Sequence, residues 1–301
     1  MADQSKPISP TSLPPSGNQL YQSYDLVEET IRSSYHYELD PEFFHIVIGG
    51  EWHTYSAFLW EDGFSATQAQ ERKLDTLAEL MSLKPGMRIL DVGCGWGGPL
   101  VYLCRKYGAT GHGVSVTPGQ IVDALARAAR YGVDATFEVS HWQNLPAVET
   151  YDVVYTDEVM VHFHDLDGFF AKCRQILKPG QLMVHKELHL THSSMSALGP
   201  LSQHVNKVYA YTGNYIPLHE ELKLLDQNGF RLERVLDIPM SHYQRTLDCW
   251  LDNMFENRDR LHELAGHETY REFRLYLKAM RYLFARVPVF GLHVVASRRI
   301  D

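Results

Sequence analysis

No stretch of this 301-residue chain approaches the roughly 18 uninterrupted apolar residues that a membrane-spanning helix needs. Its opening, MADQSKPISPTSLPPSGNQ, lacks the basic-then-apolar pattern of a secretory leader, and its Pro, Ser and Gly predict a disordered arm over residues 1–19. Cysteine is sparse: Cys94, Cys104, Cys173 and Cys249 lie far apart with no CxxC, which signals neither a disulfide framework nor a zinc knuckle. Basic residues are outnumbered, for a formal net charge of −9, and scattered rather than gathered into a stripe that could follow phosphates. These absences predict a cytoplasmic protein with no stable membrane insertion and no nucleic-acid partner. At 45% hydrophobic residues the chain can still bury a full core, and one elaborated domain suits its length better than two.

What is present is an alternation of strand-like and helix-like segments. From Lys84, KPGMRILDVGCGWGGPLVYLCRKYG passes from a short apolar strand through a glycine-rich turn into a helix, the opening unit of a doubly wound sheet. GATGHGVSV, ATFEVS, YDVVYT and QLMVHKELHL follow as strands, with helices between them, so a parallel, Rossmann-like α/β core is expected over residues 84–190. HEELKLLDQNG and FRLERVLDI resume that core, residues 241–285 form one long helical stretch, and VFGLHVVASRR closes as a strand. The expected organisation is a helical lid or cap over 20–83 and a core over 84–301 with cap insertions at 191–217 and 241–288. Within residues 20–36, Leu26, Val27 and Ile31 at helical spacing, with Tyr21 and Tyr24 ahead, predict an amphipathic lid closing in its own chain or in a neighbouring one of a homo-oligomer.

In LDVGCGWGG, Asp91 ends the first strand, and Gly93, Gly95 and Gly97 let backbone approach a ligand without a Cβ in the way. Nicotinamide and flavin sites use a similar pattern, so the second strand must discriminate. A dinucleotide site places an acid at its end, whereas GVSVTPGQ offers Ser115, Val116, Thr117 and Gln120. Further on, HWQNL sets Trp142 beside Gln143, a shelf for an adenine ring. The combination favours S-adenosylmethionine, which has no pyrophosphate to neutralise.

With these motifs in order, the chain resembles the cyclopropane fatty acid synthase and mycolic acid methyltransferase family of S-adenosylmethionine-dependent enzymes, together with the related terpenoid C-methyltransferases. The matching segments are HTYSAF at 53–58, LDVGCGWGG at 90–98, GVSVTPGQ at 113–120, HWQNL at 141–145 and HYQRTLDCW at 242–250. The resemblance implies cofactor contacts at Tyr55 and Ser56, at the glycine loop including Cys94, at Ser115 to Gln120, and at Trp142 with Gln143. The fatty-acid branch also holds a bicarbonate by a Cys, a Glu, a His and a Tyr. Those positions here are Ala57, Val161, His185 and Tyr243, so half of that pocket has changed.

Methylating an alkene carbon leaves a carbocation that must be stabilised and then deprotonated. Aromatic faces can do the first, for on the order of 2 kcal/mol when desolvated. Trp52, Tyr55, Phe58 and Trp60 before the core, Tyr209, Tyr211 and Tyr215 in the insertion and Trp250 later are available, with Tyr21 and Tyr24 in the lid. A positioned weak base does the second. In YDVVYTDEVMVHFHD an apolar strand runs into Asp157 and Glu158, and the resemblance to prenyl C-methyltransferases puts the acidic base at Glu158, leaving the strand into an apolar cleft. His185, Tyr243 and His162 complete the expected catalytic set. His162 and His164 read equally as helix-start residues, Asp157 as a helix cap, and the spacing offers no third ligand for a metal.

The expected reaction is therefore methyl transfer to an alkene carbon of a prenyl or terpenoid group in a hydrophobic small molecule. A prenyl diphosphate would call for a basic cluster, but Arg32, Lys207 and Arg245 are dispersed. Lipid cyclopropanation and O- or N-methylation of a small molecule are the alternatives.

Overall fold

A computed structural model describes residues 26–35, 37, 39–192, 215–286 and 289–301. The arm over 1–19, most of the insertion at 191–217, and Tyr21, Tyr24, Lys207, Tyr209 and Tyr211 lie outside the described residues. Three helices precede the sheet: α1 (Leu26–Tyr35), α2 (Pro41–Ile48) and α3 (Ala66–Leu80). They are followed by β1 (Arg88–Val92), α4 (Gly98–Tyr107), β2 (Thr110–Ser115), α5 (Pro118–Tyr131), β3 (Ala135–Val139), β4 (Tyr151–Asp157), α6 (Leu166–Ile176) and β5 (Leu177–Leu190). The chain ends with α7 (Leu218–Gln227), β6 (Phe230–Ile238), α8 (Met240–Glu256), α9 (Arg258–Arg286) and β7 (Phe290–Arg299).

The strands form one seven-stranded sheet in the order β3-β2-β1-β4-β5-β7-β6. β1 to β5 pair in parallel, and β7 inserts antiparallel between β5 and β6. The parallel centre explains why RILDV and YDVVYT lack polar alternation: both faces are covered. Ile89, Val153, Tyr155 and Val184 pack under α3, α4 and α5 on one face, while Leu90, Val154 and Met183 pack under α6 and α7 on the other. The order reverses between β1 and β4, so their carboxyl ends open a crevice there.

Over that edge α2, α8 and α9 form a cap with its own core of Phe43, Phe44, Leu247, Trp250, Met254, Phe273 and Leu277. The single long helix expected over 241–285 is two, broken at Asn257, and Gly266 (φ 80°) interrupts the second. The lid helix also differs from its expected polarity. Val27 and Ile31 are 65% and 46% exposed, whereas Glu29 is buried.

Candidate active site

The cofactor end of the crevice is set by the glycine loop. The N–H groups of Gly93 and Cys94 both donate to the Val114 carbonyl, folding the loop over the end of β2. The three predicted glycines then do different work. A Cβ at Gly93 would lie 2.4 Å from Val159, and one at Gly97 would lie 2.7 Å from Ala124, so those two serve close packing. Gly95 (φ 52°) would put its Cβ into open space, on the cavity wall. Gly98 has the tightest approach of the loop: its Cβ would sit 1.7 Å from the Trp52 carbonyl oxygen.

The cavity measures about 940 Å³ with its open mouth. Of the predicted cofactor residues, Tyr55, Ser56, Asp91, Gly93, Cys94, Gly95, Ser115, Val116, Thr117, Gln120 and Trp142 line it. Gly97 and Gln143 do not. Ser115 Oγ donates to Gln120 Oε1 (2.8 Å) and accepts from the Thr117 N–H (3.2 Å), which tie the end of β2 to the start of α5. Two buried polar atoms on the wall, Asp91 Oδ2 and Trp142 Nε1, have no hydrogen-bond partner among the described residues. Burial, with Asp157 adding to it, pushes the Asp91 carboxyl well above its ordinary range. An unpaired acceptor and an unpaired indole N–H facing one cavity fit a ligand with an ammonium group and a heteroaromatic ring, as S-adenosylmethionine has.

The other end is built on the reversal of backbone after β4. Glu158 adopts φ +58°, a left-handed conformation costly for a residue with a side chain, and its N–H is held by the Lys186 carbonyl (2.7 Å). Its carboxylate lines the cavity and takes three donors: the Ala57 N–H on Oε1 (2.9 Å), the Lys186 ammonium also on Oε1, and the Tyr243 hydroxyl on Oε2 (2.7 Å). The carboxylate is thus ringed by polar donors on a cavity wall that also carries Tyr37, Tyr55, Trp96 and Val159. Asp157 is no helix cap. Its Oδ2 accepts from Lys73 Nζ (2.7 Å), Ser56 Oγ (2.7 Å) and Tyr155 OH (3.2 Å), and Lys186 Nζ lies 2.8 Å from Oδ1. Burial alone would raise the Asp157 carboxyl, but Lys186 and Lys73 outweigh it and hold it below the ordinary range. Lys73 reaches inward because a Ser65–Gln68 capping box starts α3 and places it with Gln70, Leu74 and Leu77 on the buried face.

Several predicted residues stand elsewhere. His185 faces the opposite side of the sheet, fully buried, where its Nε2 lies 2.7 Å from Glu221 on α7, and it does not reach the cavity. Trp52 and Phe58 are core residues: Trp52 packs against Tyr102 and Tyr131 with its Nε1 on Glu71, and Phe58 against Trp60 and Trp250. Trp250 supports the wall from behind, stacked on Tyr55 at 5.0 Å, and Tyr215 packs on Phe290. Arg245 lies over the Trp60 ring. His162 does line the cavity, and burial, opposed by Glu29, lowers it to about 4.

Sequence reasoning missed Glu29, Tyr37, His53, Trp96 and His141 on the wall. Glu29 from α1 accepts from His141 Nε2 (2.7 Å) and from the His164 N–H (2.8 Å), and pairs with His164 Nδ1. Glu29, His141 and His164 thus supply the three clustered ligand atoms that spacing alone could not. The hydrogen bond behind His141 does not suit a metal. His141 Nδ1 accepts the Gln143 N–H (3.2 Å), which leaves the proton on Nε2, the atom a metal would need bare. The group is a hydrogen-bonded clamp from α1 onto the residue beside Trp142.

The sheet order, the glycine loop and the cavity define a class I S-adenosylmethionine-dependent methyltransferase. Within that class, the chain belongs to the mycolic acid cyclopropane synthetase family, which it matches over residues 25–290. It is 24% identical over 263 residues to the S-adenosylmethionine-dependent methyltransferase UmaA of Mycobacterium tuberculosis, covering 83% of this chain and 91% of that one. It is 26% identical over 268 residues to the cyclopropane-fatty-acyl-phospholipid synthase of Escherichia coli K12, covering 88% of this chain and 67% of that one. Among solved structures, the cyclopropane synthase MmaA2 of Mycobacterium tuberculosis superposes with a TM-score of 0.84 at 21% identity, over 92% of this chain and all of that one. The mycolic acid cyclopropane synthase CmaA1, complexed with S-adenosylhomocysteine and CTAB, superposes at 0.81 with 21% identity, over 90% of this chain and 98% of that one. Among the described residues, no helix is long and apolar enough to cross a membrane.

Proposed function

We propose that this enzyme methylates an alkene carbon of a prenyl or terpenoid group in a hydrophobic small molecule, and that Glu158 removes the proton from the resulting carbocation. The observation that carries this is the Glu158 carboxylate, fixed at the cavity wall in a strained backbone conformation by Ala57, Lys186 and Tyr243. Ala57 and Tyr243 are two of the four positions that hold bicarbonate in the fatty-acid branch of the family. Here both donate to a side chain of the protein itself, so the base is built in.

S-adenosylmethionine, when bound, supplies an electrophilic methyl group. Asp91 and Trp142 hold it through their unpaired atoms, and Gly95 leaves room for it. Tyr37, Tyr55 and Trp96 present aromatic faces within about 6 Å of one another, a setting for a cationic carbon. Glu158 Oε2, with one donor against two on Oε1, has the lone-pair capacity to take a proton, and the C–H electron pair becomes the new π bond. Among the described residues Glu29, Asp91, Asp157 and Glu158 line the cavity and no Lys or Arg does. That charge balance disfavours a diphosphate and favours a neutral substrate passing through a cation.

The family match favours a second reading, lipid cyclopropanation. Both reactions share the cation. They differ in whether the proton leaves a neighbouring carbon, restoring an alkene, or the added methyl, closing a three-membered ring. Mass and NMR analysis of products from a prenylated aromatic, from geranyl diphosphate and from vesicles of an unsaturated phospholipid, each in bicarbonate-stripped buffer and with bicarbonate restored, separates them. We expect a methylated alkene from the prenylated aromatic, formed at equal rates in both buffers. Ring products from the vesicles alone, or a dependence on bicarbonate, would replace this reading with the second.

A further inference from the structure

Lys73, Asp157, Glu158 and Lys186 bring two positive and two negative charges together with side chains 0–9% exposed. Such a cluster is a poor source of stability. Desolvating each ion costs several kcal/mol, and apolar residues of equal volume would usually serve the fold as well or better. The cluster also includes a glutamate at φ +58°. A chain that keeps both costs next to a ligand cavity is holding something in place.

The geometry points to Lys186 as the positioning residue of the base: its ammonium, fixed by Asp157, clamps Glu158 Oε1 beside the Ala57 N–H and leaves Oε2 to act at the cavity wall. This rests on the reading of Glu158 as the base. Lys186 itself is fully buried and is not on the cavity wall, so it acts through Glu158. Its backbone carbonyl holds the Glu158 N–H as well, so one residue fixes both ends of the glutamate. Lys73 completes the arrangement by occupying Asp157 Oδ2 with Ser56, which leaves Oδ1 to Lys186.

The other groups facing Glu158 would not replace it. From β4 and β5, Asp157 adds negative charge, and the Glu187 carboxyl, pushed well up by burial first, offers no positive one. Tyr155, Tyr243, Tyr37 and Tyr215 face Glu158 as neutral phenols, each raised above its ordinary value, by burial first. Lys73 is bonded to Asp157 and Ser56 instead. With Lys186 neutralised, Glu158 would keep a backbone N–H and a hydroxyl as its donors, with Lys73 acting on it only across a distance, and its Oε1 would lose the clamp that fixes it. The ammonium state of Lys186 has a second consequence. Burial would lower it, but Asp157 and Glu158 outweigh burial and raise it, so it carries no lone pair to compete for the methyl group.

The experiment measures kcat and KM separately on the prenylated aromatic, in variants whose folding is checked by calorimetric binding of S-adenosylhomocysteine and by near-ultraviolet circular dichroism. In Lys186→Met we expect kcat to fall roughly 10²-fold with KM and S-adenosylhomocysteine affinity little changed, the usual cost of misplacing a reacting group by about an ångström. Lys186→Arg, which keeps the charge and the donor, should recover most of that loss. Should Lys186→Met aggregate, Asp157→Asn combined with Lys186→Met removes one charge of each sign and is expected to show the same fall in kcat. A kcat that stays at the wild-type value in either folded variant, or a loss carried by KM alone, overturns the role given to Lys186. Glu158→Gln separates this from the underlying reading: an active Glu158→Gln would overturn Glu158 as base, whereas an inactive Glu158→Gln beside an unchanged Lys186→Met would overturn Lys186 alone.

Discussion

The two ends of the cavity handle buried polarity in opposite ways. At the cofactor end, Asp91 Oδ2 and Trp142 Nε1 have no partner among the described residues. At the other end, the carboxylates of Asp157 and Glu158 are gripped by two lysines, three hydroxyl-bearing side chains and a backbone N–H before any ligand arrives. A buried polar group left unpaired costs about 1–3 kcal/mol, recovered only when a ligand supplies the missing bond. The first end therefore stores binding energy for a ligand that comes and goes. The second is set in advance, so that no reorganisation is required when charge develops beside it.

The sharpest break in this comparison is at Glu158. Glu158→Gln keeps the side-chain shape and should leave S-adenosylhomocysteine affinity unchanged, while turnover falls by roughly 10²–10⁴. Calorimetry and product formation on one preparation would check both halves, and a variant as fast as the wild type would remove the base from this residue. Next in size is a pair of matched substitutions. Asp157→Asn strips Lys73 of its carboxylate and leaves Lys186 with Glu158 alone, and should cost about 3–5 kcal/mol of folding stability. Asp91→Asn should do the reverse in the ligand-free protein, raising its melting temperature by relieving a buried carboxyl whose Oδ2 has no partner among the described residues, while cofactor affinity drops. Two melting curves and two titrations decide it, and like-signed stability changes would mean that the ends do not differ as described.

How much of this was legible follows from how local each feature is. The glycine loop and Ser115 to Gln120 were readable because a cofactor contacts contiguous backbone, and the demand is written into adjacent residues. Glu158 stood out at the end of a buried strand and now lines the cavity, while its reading as a base came from the resemblance to prenyl C-methyltransferases. Two of its partners were not readable: Ala57 and Lys186 come from far along the chain, as does the Lys73 that holds neighbouring Asp157, and no local pattern joins them. His185 carried a signal that went unused. In a strand, alternate residues share a face, so His185 had to oppose its neighbours Val184 and Lys186. Trp52 and Phe58 show the limit of composition, since a core and a cation site both ask for aromatics. The lid helix shows the limit of periodicity. Val27 and Ile31 marked a face correctly, but the face that docks is the one with Glu29, chosen by His141 and His164.

The smallest expected effect is on stability in mild acid, and it belongs to the histidines rather than to the ion cluster. His53, whose Nδ1 lies 2.6 Å from Arg127, is lowered to about 3, by burial first and by His45 and Arg127 after it, and His162 is lowered to about 4 by burial. A histidine lowered in the folded state takes up its proton first in the unfolded chain, from the ordinary value near 6.5 downward. Its cost to folding therefore starts as pH drops below that value and grows until the folded value is reached, at up to about 1.4 kcal/mol per pH unit for each residue. Asp157 and Glu29, lowered themselves, start to lose their contribution only below the usual carboxylate range. Between pH 7 and pH 5 the lowered histidines pull stability down as pH falls, against Asp91 and Glu187, whose raised carboxyls keep their protons in the folded chain and add stability in that direction, so the share of one histidine is read as a difference between two proteins. His162→Gln stays neutral throughout and should gain in melting temperature relative to the wild type from pH 7 to pH 5, with His112, His242 and His293, also lowered, contributing equally to both proteins. Parallel melting curves for wild type and variant from pH 7 to pH 5 would show that His162 gains a proton freely in the folded chain, and would remove it from the neutral wall of the cavity.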